Sequence, residues 1–280
     1  MAPPSRTTHR AIAAATTRVG ICLGLGFGPA FTPLVQAAFY PWAETARSVL
    51  RGRSTWEGNA NSLLVDYFRT LQEDKDVAAF GERVAARYPE ETLDLILTKS
   101  KEVVARQAAV TALFVHGTYQ RSNSALGRAL ADSDPLVRSL AQDALWAVWC
   151  RAGTPEQNQM LRQVSTLIDS GDLKQAESLV NTLITQAPDF VEASNQRAII
   201  YFHQGRFDES ARDCQRVIER NRYHIGAISG LAQCQRQLKQ TQAHLETMRR
   251  AAAIQPYNDW LKEQVKVAEA EVGAPPSQRP

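Results

Sequence analysis

The 280-residue chain carries 32 Lys and Arg against 29 Asp and Glu, with 44% hydrophobic residues. Its basic excess lies entirely in residues 1–37, which hold Arg6, Arg10 and Arg18 and no acid, so residues 38–280 balance at 29 against 29. That excludes nucleic-acid binding through a net basic field. The length suits one or two domains or an elongated array.

Residues 1–37 are predicted to be a signal peptide. A basic stretch precedes the apolar "VGICLGLGFGPAFTPL", and "VQA" supplies small Val35 and Ala37 at a cleavage position. Cleavage after Ala37 would export the chain as a periplasmic or secreted protein. An uncleaved anchor near a membrane and an organellar transit peptide stay open as alternatives. Gly24, Gly26, Gly28, Pro29 and Pro33 make the stretch a poor spanning helix.

Beyond it Ala, Leu, Gln, Arg and Glu dominate, and Val, Ile and Thr do not cluster in alternating runs. An all-α chain is expected. Residues 38–88 predict a helical cap region. "NSLLVDYFRTLQ" places Leu64, Phe68 and Leu71 on one face after an Asn61 cap, and "DVAAFGERVAARY" is a second helix stopped by Pro89.

Over residues 89–152 two stretches correspond. "ALADSDPLVRSLAQDALWAVW" opens with Asp134 as N-cap and Pro135 at the first helical position, with Arg138 one turn on. Thirty-two residues earlier, Val104, Ala105, Arg106, Ala109, Ala112 and Leu113 match Leu136, Val137, Arg138, Ala141, Ala144 and Leu145. The pair resembles two HEAT repeats; a plain helical bundle is the alternative.

From residue 157 the chain repeats with a period of 34 and no gaps: 157–190, 191–224 and 225–258. Gly171 and Gly205 share a column with Lys239. Ala176 and Ser210 fill a small site where His244 departs, and Val164, Ala198 and Ala232 fill another. Pro188 and Pro256 close the first and third copies. Period, glycine, small residues and proline together resemble the tetratricopeptide repeat (TPR) family. The resemblance implies two antiparallel helices per unit. The glycine then ends the first helix of each pair rather than interrupting it. Residues 259–272 are expected to cap the array, with Trp260, Leu261, Val265 and Val267 or Ala268 covering its last open face. The tail 273–280 is expected to be disordered. The fold expected is a right-handed α-solenoid of helix-turn-helix repeats, a TPR array preceded by HEAT-like pairs.

No catalytic constellation stands out, and no cofactor or metal site is expected. "GLGFG" follows no strand, and no Walker, zincin or nucleophile-elbow motif occurs. Cys150, Cys214 and Cys234 have no zinc spacing and read as small buried residues, although Cys214 and Cys234 could pair after export. Asp132 and Asp134 read as turn and cap residues.

The resemblance also implies a concave groove lined by the first helix of each unit. It would present Asn158, Leu161, Ser165, Ile168 and Asp169, then Glu192, Asn195, Ile199, Phe202 and His203. The third copy adds Gln233, Arg236 and Gln237. A protein or peptide partner is expected there, bound by a non-catalytic scaffold or adaptor. Family members that grip chaperone carboxylates use Lys, Asn and Arg at places held here by Leu161, Ser165, Gln196, Gly226 and Gly230, which speaks against that role. Alternatives are an accessory substrate-binding subunit of an enzyme assembly, a HEAT-type enzyme such as a bilin lyase, and a homo-oligomer formed through an exposed end.

Overall fold

Wherever the apolar spacing has a helical period the chain is helical, and the breaks fall at turn residues. The computed structural model describes residues 63–273, and among these it shows thirteen α-helices and no strand. The predicted signal peptide, the expected Asn61 cap and residues 274–280 lie outside the described residues. The described chain forms two compact units, one of residues 63–126 and 134–148, the other of 127–133 and 149–273.

The first unit opens with α1 (Leu63–Asp74) and α2 (Val77–Ala85). Lys75 makes the turn between them at φ 61°, and Asp76 caps α2 by accepting from the Ala79 amide at 3.0 Å. Then come α3 (Glu90–Lys99), α4 (Val103–His116) and α5 (Tyr119–Ala129), and α6 (Pro135–Cys150) follows. Helices α1, α2 and α3 pack on α4, burying Phe68, Phe80, Leu93 and Leu113. That burial is the main stabilising contribution, about 1.5–3 kcal/mol per large side chain.

Polar groups set the ends of these helices. Asp134 Oδ1 accepts from the Val137 amide at 2.9 Å and from Gln107 Nε2 at 3.1 Å, so the cap of α6 is also tied to α4. Arg106 is almost wholly buried and donates to the carbonyls of Ser100 and Lys101, closing the end of α3. Glu90 accepts from the backbone amide and hydroxyl of Thr118 and from Ser122 Oγ, so this acid of α3 serves the start of α5.

The second unit holds α7 (Pro155–Asp169) and α8 (Leu173–Gln186), α9 (Val191–His203) and α10 (Phe207–Arg220), and α11 (Ile225–Gln237) and α12 (Thr241–Ile254). Each is a helical hairpin packed on the next, and α7, α9 and α11 also contact in series. Helix α7 starts two residues before the repeat boundary because Thr154 and Gln157 form a reciprocal capping box, with Pro155 at the first helical position.

All three hairpin turns have one hydrogen-bond pattern. The amide after the turn residue bonds back five residues: Asp172 to Leu167, Arg206 to Tyr201, Gln240 to Gln235. The turn residue itself bonds back to Ile168, Phe202 or Arg236. This is the Schellman closure, and it needs a left-handed residue. Gly171 and Gly205 adopt φ 79° and 74°, and Lys239 is held in the same turn at φ 56°.

The small column residues allow close helix contact. Ala198 and Ala176 are buried, and Ser210 Oγ donates to the Ala198 carbonyl at 2.7 Å, a direct link from α10 to the backbone of α9. Ala232 packs with Met248 and Leu261. Pro188 and Pro256 are exposed just past α8 and α12, where a missing N–H costs nothing.

The closing helix α13 (Asp259–Gly273) packs on α12, with a correction to the residues that do it. Leu261 and Ala268 are buried and Val265 lies against them, whereas Trp260 and Val267 are 39% and 45% exposed. An α-helix can turn only one stripe inward, and the 261–265–268 stripe excludes residues 260 and 267.

Candidate partner-binding surface

The first helix of each repeat carries the residues expected to line a groove, and the structure divides them. Leu161, Ser165, Ile168, Glu192, Asn195 and Ile199 are buried. They belong to the packing between repeats, so the expectation that they face a partner is corrected. Asn158 is half-buried and holds the loop before α7, accepting from the Gly153 amide and donating to its carbonyl, both at 3.0 Å.

The physical reason is a buried polar core that the sequence reading did not anticipate. Glu192 Oε1 accepts from Asn195 Nδ2 at 2.9 Å and Gln196 Nε2 at 3.0 Å, and Oε2 lies 2.9 Å from His224 Nε2. His224 Nδ1 accepts the Ala227 amide at 3.1 Å, capping α11, which places the ring proton on Nε2 facing the carboxylate. Trp149 stacks on the imidazole with centroids 4.1 Å apart. Glu192 and His224 are 1% and 0% exposed, so α9 is tied to the cap of α11 by a charge-assisted bond shielded from water.

What remains accessible is the C-terminal half of the three first helices. Asp169, Arg236 and Gln237 are exposed, and Phe202, His203 and Gln233 are half-buried. Phe202 is held edge-on by Phe207 at 5.2 Å and by His203 at 6.5 Å. Burial pushes the His203 pKa down. The surface is a fixed aromatic centre flanked by polar and charged side chains of both signs, a composition that suits side chains of a polypeptide.

Neighbouring turns are stiffened from the other flank. Arg206 bonds Glu177 at 2.9 Å and Glu209 at 3.0 Å and lies over the Tyr201 ring at 4.1 Å. The Gln204 amide, and then the Arg206 guanidinium, hold the Glu177 carboxyl below its usual range.

Cys214 and Cys234 are buried thiols, with Cys234 Sγ 3.2 Å from Ser210 Oγ. Burial pushes both pKa values up. Among the described residues no group of three or more His, Cys, Asp or Glu is placed to hold a metal ion. Among the same residues no helix is long and apolar enough to cross a membrane.

Comparison with known proteins agrees with the repeat geometry. Residues 161–224 match the model of the tetratricopeptide repeat. A TPR repeat-containing protein of Rhizobium etli is 24% identical over 148 residues, covering 53% of this chain and 72% of that protein. No solved structure matches the chain.

Proposed function

From a chain whose second unit carries tetratricopeptide repeats, we propose a non-catalytic scaffold that holds a partner protein or peptide on the surface around Phe202 and His203. The observation that carries this reading is the division of the first-helix residues. The Glu192–His224 core fixes α9 against α11, and the aromatic pair at the end of α9 is left accessible on that fixed support. A preformed surface loses little conformational entropy on binding, so a modest contact area can give useful affinity. Export after cleavage near Ala37, and a HEAT-like arrangement of residues 89–152, belong to the same proposal.

The test is affinity capture from a host extract with the wild-type chain and with Phe202→Ala/His203→Ala. Asn195 is left unchanged because it is buried. A partner lost with the double variant, at unchanged helical circular dichroism, supports the scaffold. Equal capture by the folded variant would place the interaction elsewhere.

A further inference from the structure

Equivalent turns of the array differ in what covers them. Tyr223 and Tyr257 stand one repeat apart, each in the turn that follows a second helix, yet Tyr223 is 8% exposed and Tyr257 51%. The residue type is the same, so the repeat pattern does not account for the difference. What buries Tyr223 comes from upstream. Its ring lies directly on buried Gly127, near the end of α5, where a Cβ would stand 2.2 Å from Cγ of the ring. Glycine is a poor helix residue, and here it gives the ring its seat, because any side chain would fill the space the ring occupies.

The next residue of the turn is held from the same direction. His224 is stacked on Trp149, at the end of α6, with the rings 15° from parallel. Trp149 is itself buried. Residues 127–133 and 149 belong to the same compact unit as the repeats, although they precede the first of them. Within the turn, Asn221 Oδ1 accepts the Tyr223 amide at 3.2 Å, and the Asn221 carbonyl accepts the His224 amide at 3.0 Å. Arg222 donates to the Tyr223 hydroxyl and lies over its ring at 4.6 Å. The turn is thus braced internally and seated at two consecutive residues. The turn one repeat earlier has a related seat: a Cβ at Gly153 would stand 2.9 Å from the Phe190 ring.

We propose that the ends of α5 and α6 form a strap that keeps the junction between the second and third repeats closed. Tyr223 and His224 are the residues it grips, and His224 in turn caps α11 and bonds Glu192 of α9. Releasing the strap frees α11 to fray from its first turn and to shift against α9. Residues 157–258 by themselves therefore lack part of what fixes these helices. The consequence for the Phe202–His203 surface rests on the scaffold reading above; the strap itself does not.

The test is hydrogen–deuterium exchange of the full chain, read by peptide mass spectrometry over residues 221–231. Gly127→Ala puts a methyl group where the Tyr223 ring sits and should speed exchange there by about tenfold or more, while α1–α3 keep wild-type rates. Trp149→Phe, a milder change, should act in the same place to a smaller degree, and it carries the test if Gly127→Ala does not fold. In a Tyr223→Ala background, Gly127→Ala should lower the melting temperature little further, because the ring it displaces is gone. Unchanged exchange at 221–231 in both folded variants, or a uniform rise along the whole chain, overturns the strap. Strict additivity of Gly127→Ala and Tyr223→Ala does the same. Partner capture by the wild-type chain is untouched by these outcomes, so failure of the strap is distinguishable from failure of the scaffold.

Discussion

His224 and Glu192, 32 residues apart, meet at 2.9 Å in a site that water does not reach, and the imidazole holds the amide of Ala227 with its other nitrogen. One side chain thereby caps a helix and joins it to the preceding repeat. The histidine is better understood as a structural fastener than as a catalytic base: its carboxylate partner, its backbone partner and the stacked Trp149 leave no face for a substrate.

Removing the carboxylate should therefore be costly. Glu192→Ala leaves the donors of Asn195, Gln196 and His224 buried without their acceptor, and each such loss costs about 1–3 kcal/mol. Urea unfolding should show a loss of about 3 kcal/mol or more, with Glu192→Gln intermediate. A loss below 0.5 kcal/mol, on the order of a surface change, would contradict the burial of this network.

Lys239 offers the opposite case. It holds a left-handed turn that Gly171 and Gly205 hold without penalty. Lys239→Gly should raise stability by about 1 kcal/mol, and Gly205→Ala should lower it by about 1–2 kcal/mol. Thermal melts of the two variants read both signs.

Asp143 on α6 gives a pH dependence. Burial pushes its pKa up to about 7, against about 4 in an unfolded chain. Between those values the folded state keeps a proton that the unfolded state releases, so stability falls as pH rises from about 4 to about 7. Below that window the contribution is fully present; above it, it is lost. Asp143→Asn should remove this slope and be the more stable form at pH 8. Denaturant midpoints of both proteins across pH 4–8 check it, and parallel profiles would refute it.

The cysteines should differ in reactivity. Cys214 and Cys234 are buried with raised pKa values, so little thiolate is present and access is closed. Cys150 is half-buried. Alkylation of the native protein, followed by peptide mass spectrometry, should label Cys150 first and reach the other two only in denaturant.

The sequence by itself determined the local elements of this protein. A 34-residue period, with glycine or its substitute in one column and small residues in two others, dictates hairpins of fixed length, because turn geometry and helix periodicity are local properties of the chain. The capping role of Asp134 was legible for the same reason. Which face of each helix meets another was not. Trp260 and Leu261 are adjacent and equally apolar, yet only the packing of α13 on α12 decides that Leu261 goes inward. Glu192 and Asn195 are ordinary surface residues by type, and only the arrival of His224 at the cap of α11 buries them. The burial of Arg197 likewise depends on Asp213 and Asn181, sixteen residues away on either side. Burial and charge pairing depend on distance in space, and the stacking of the repeats is what sets that distance.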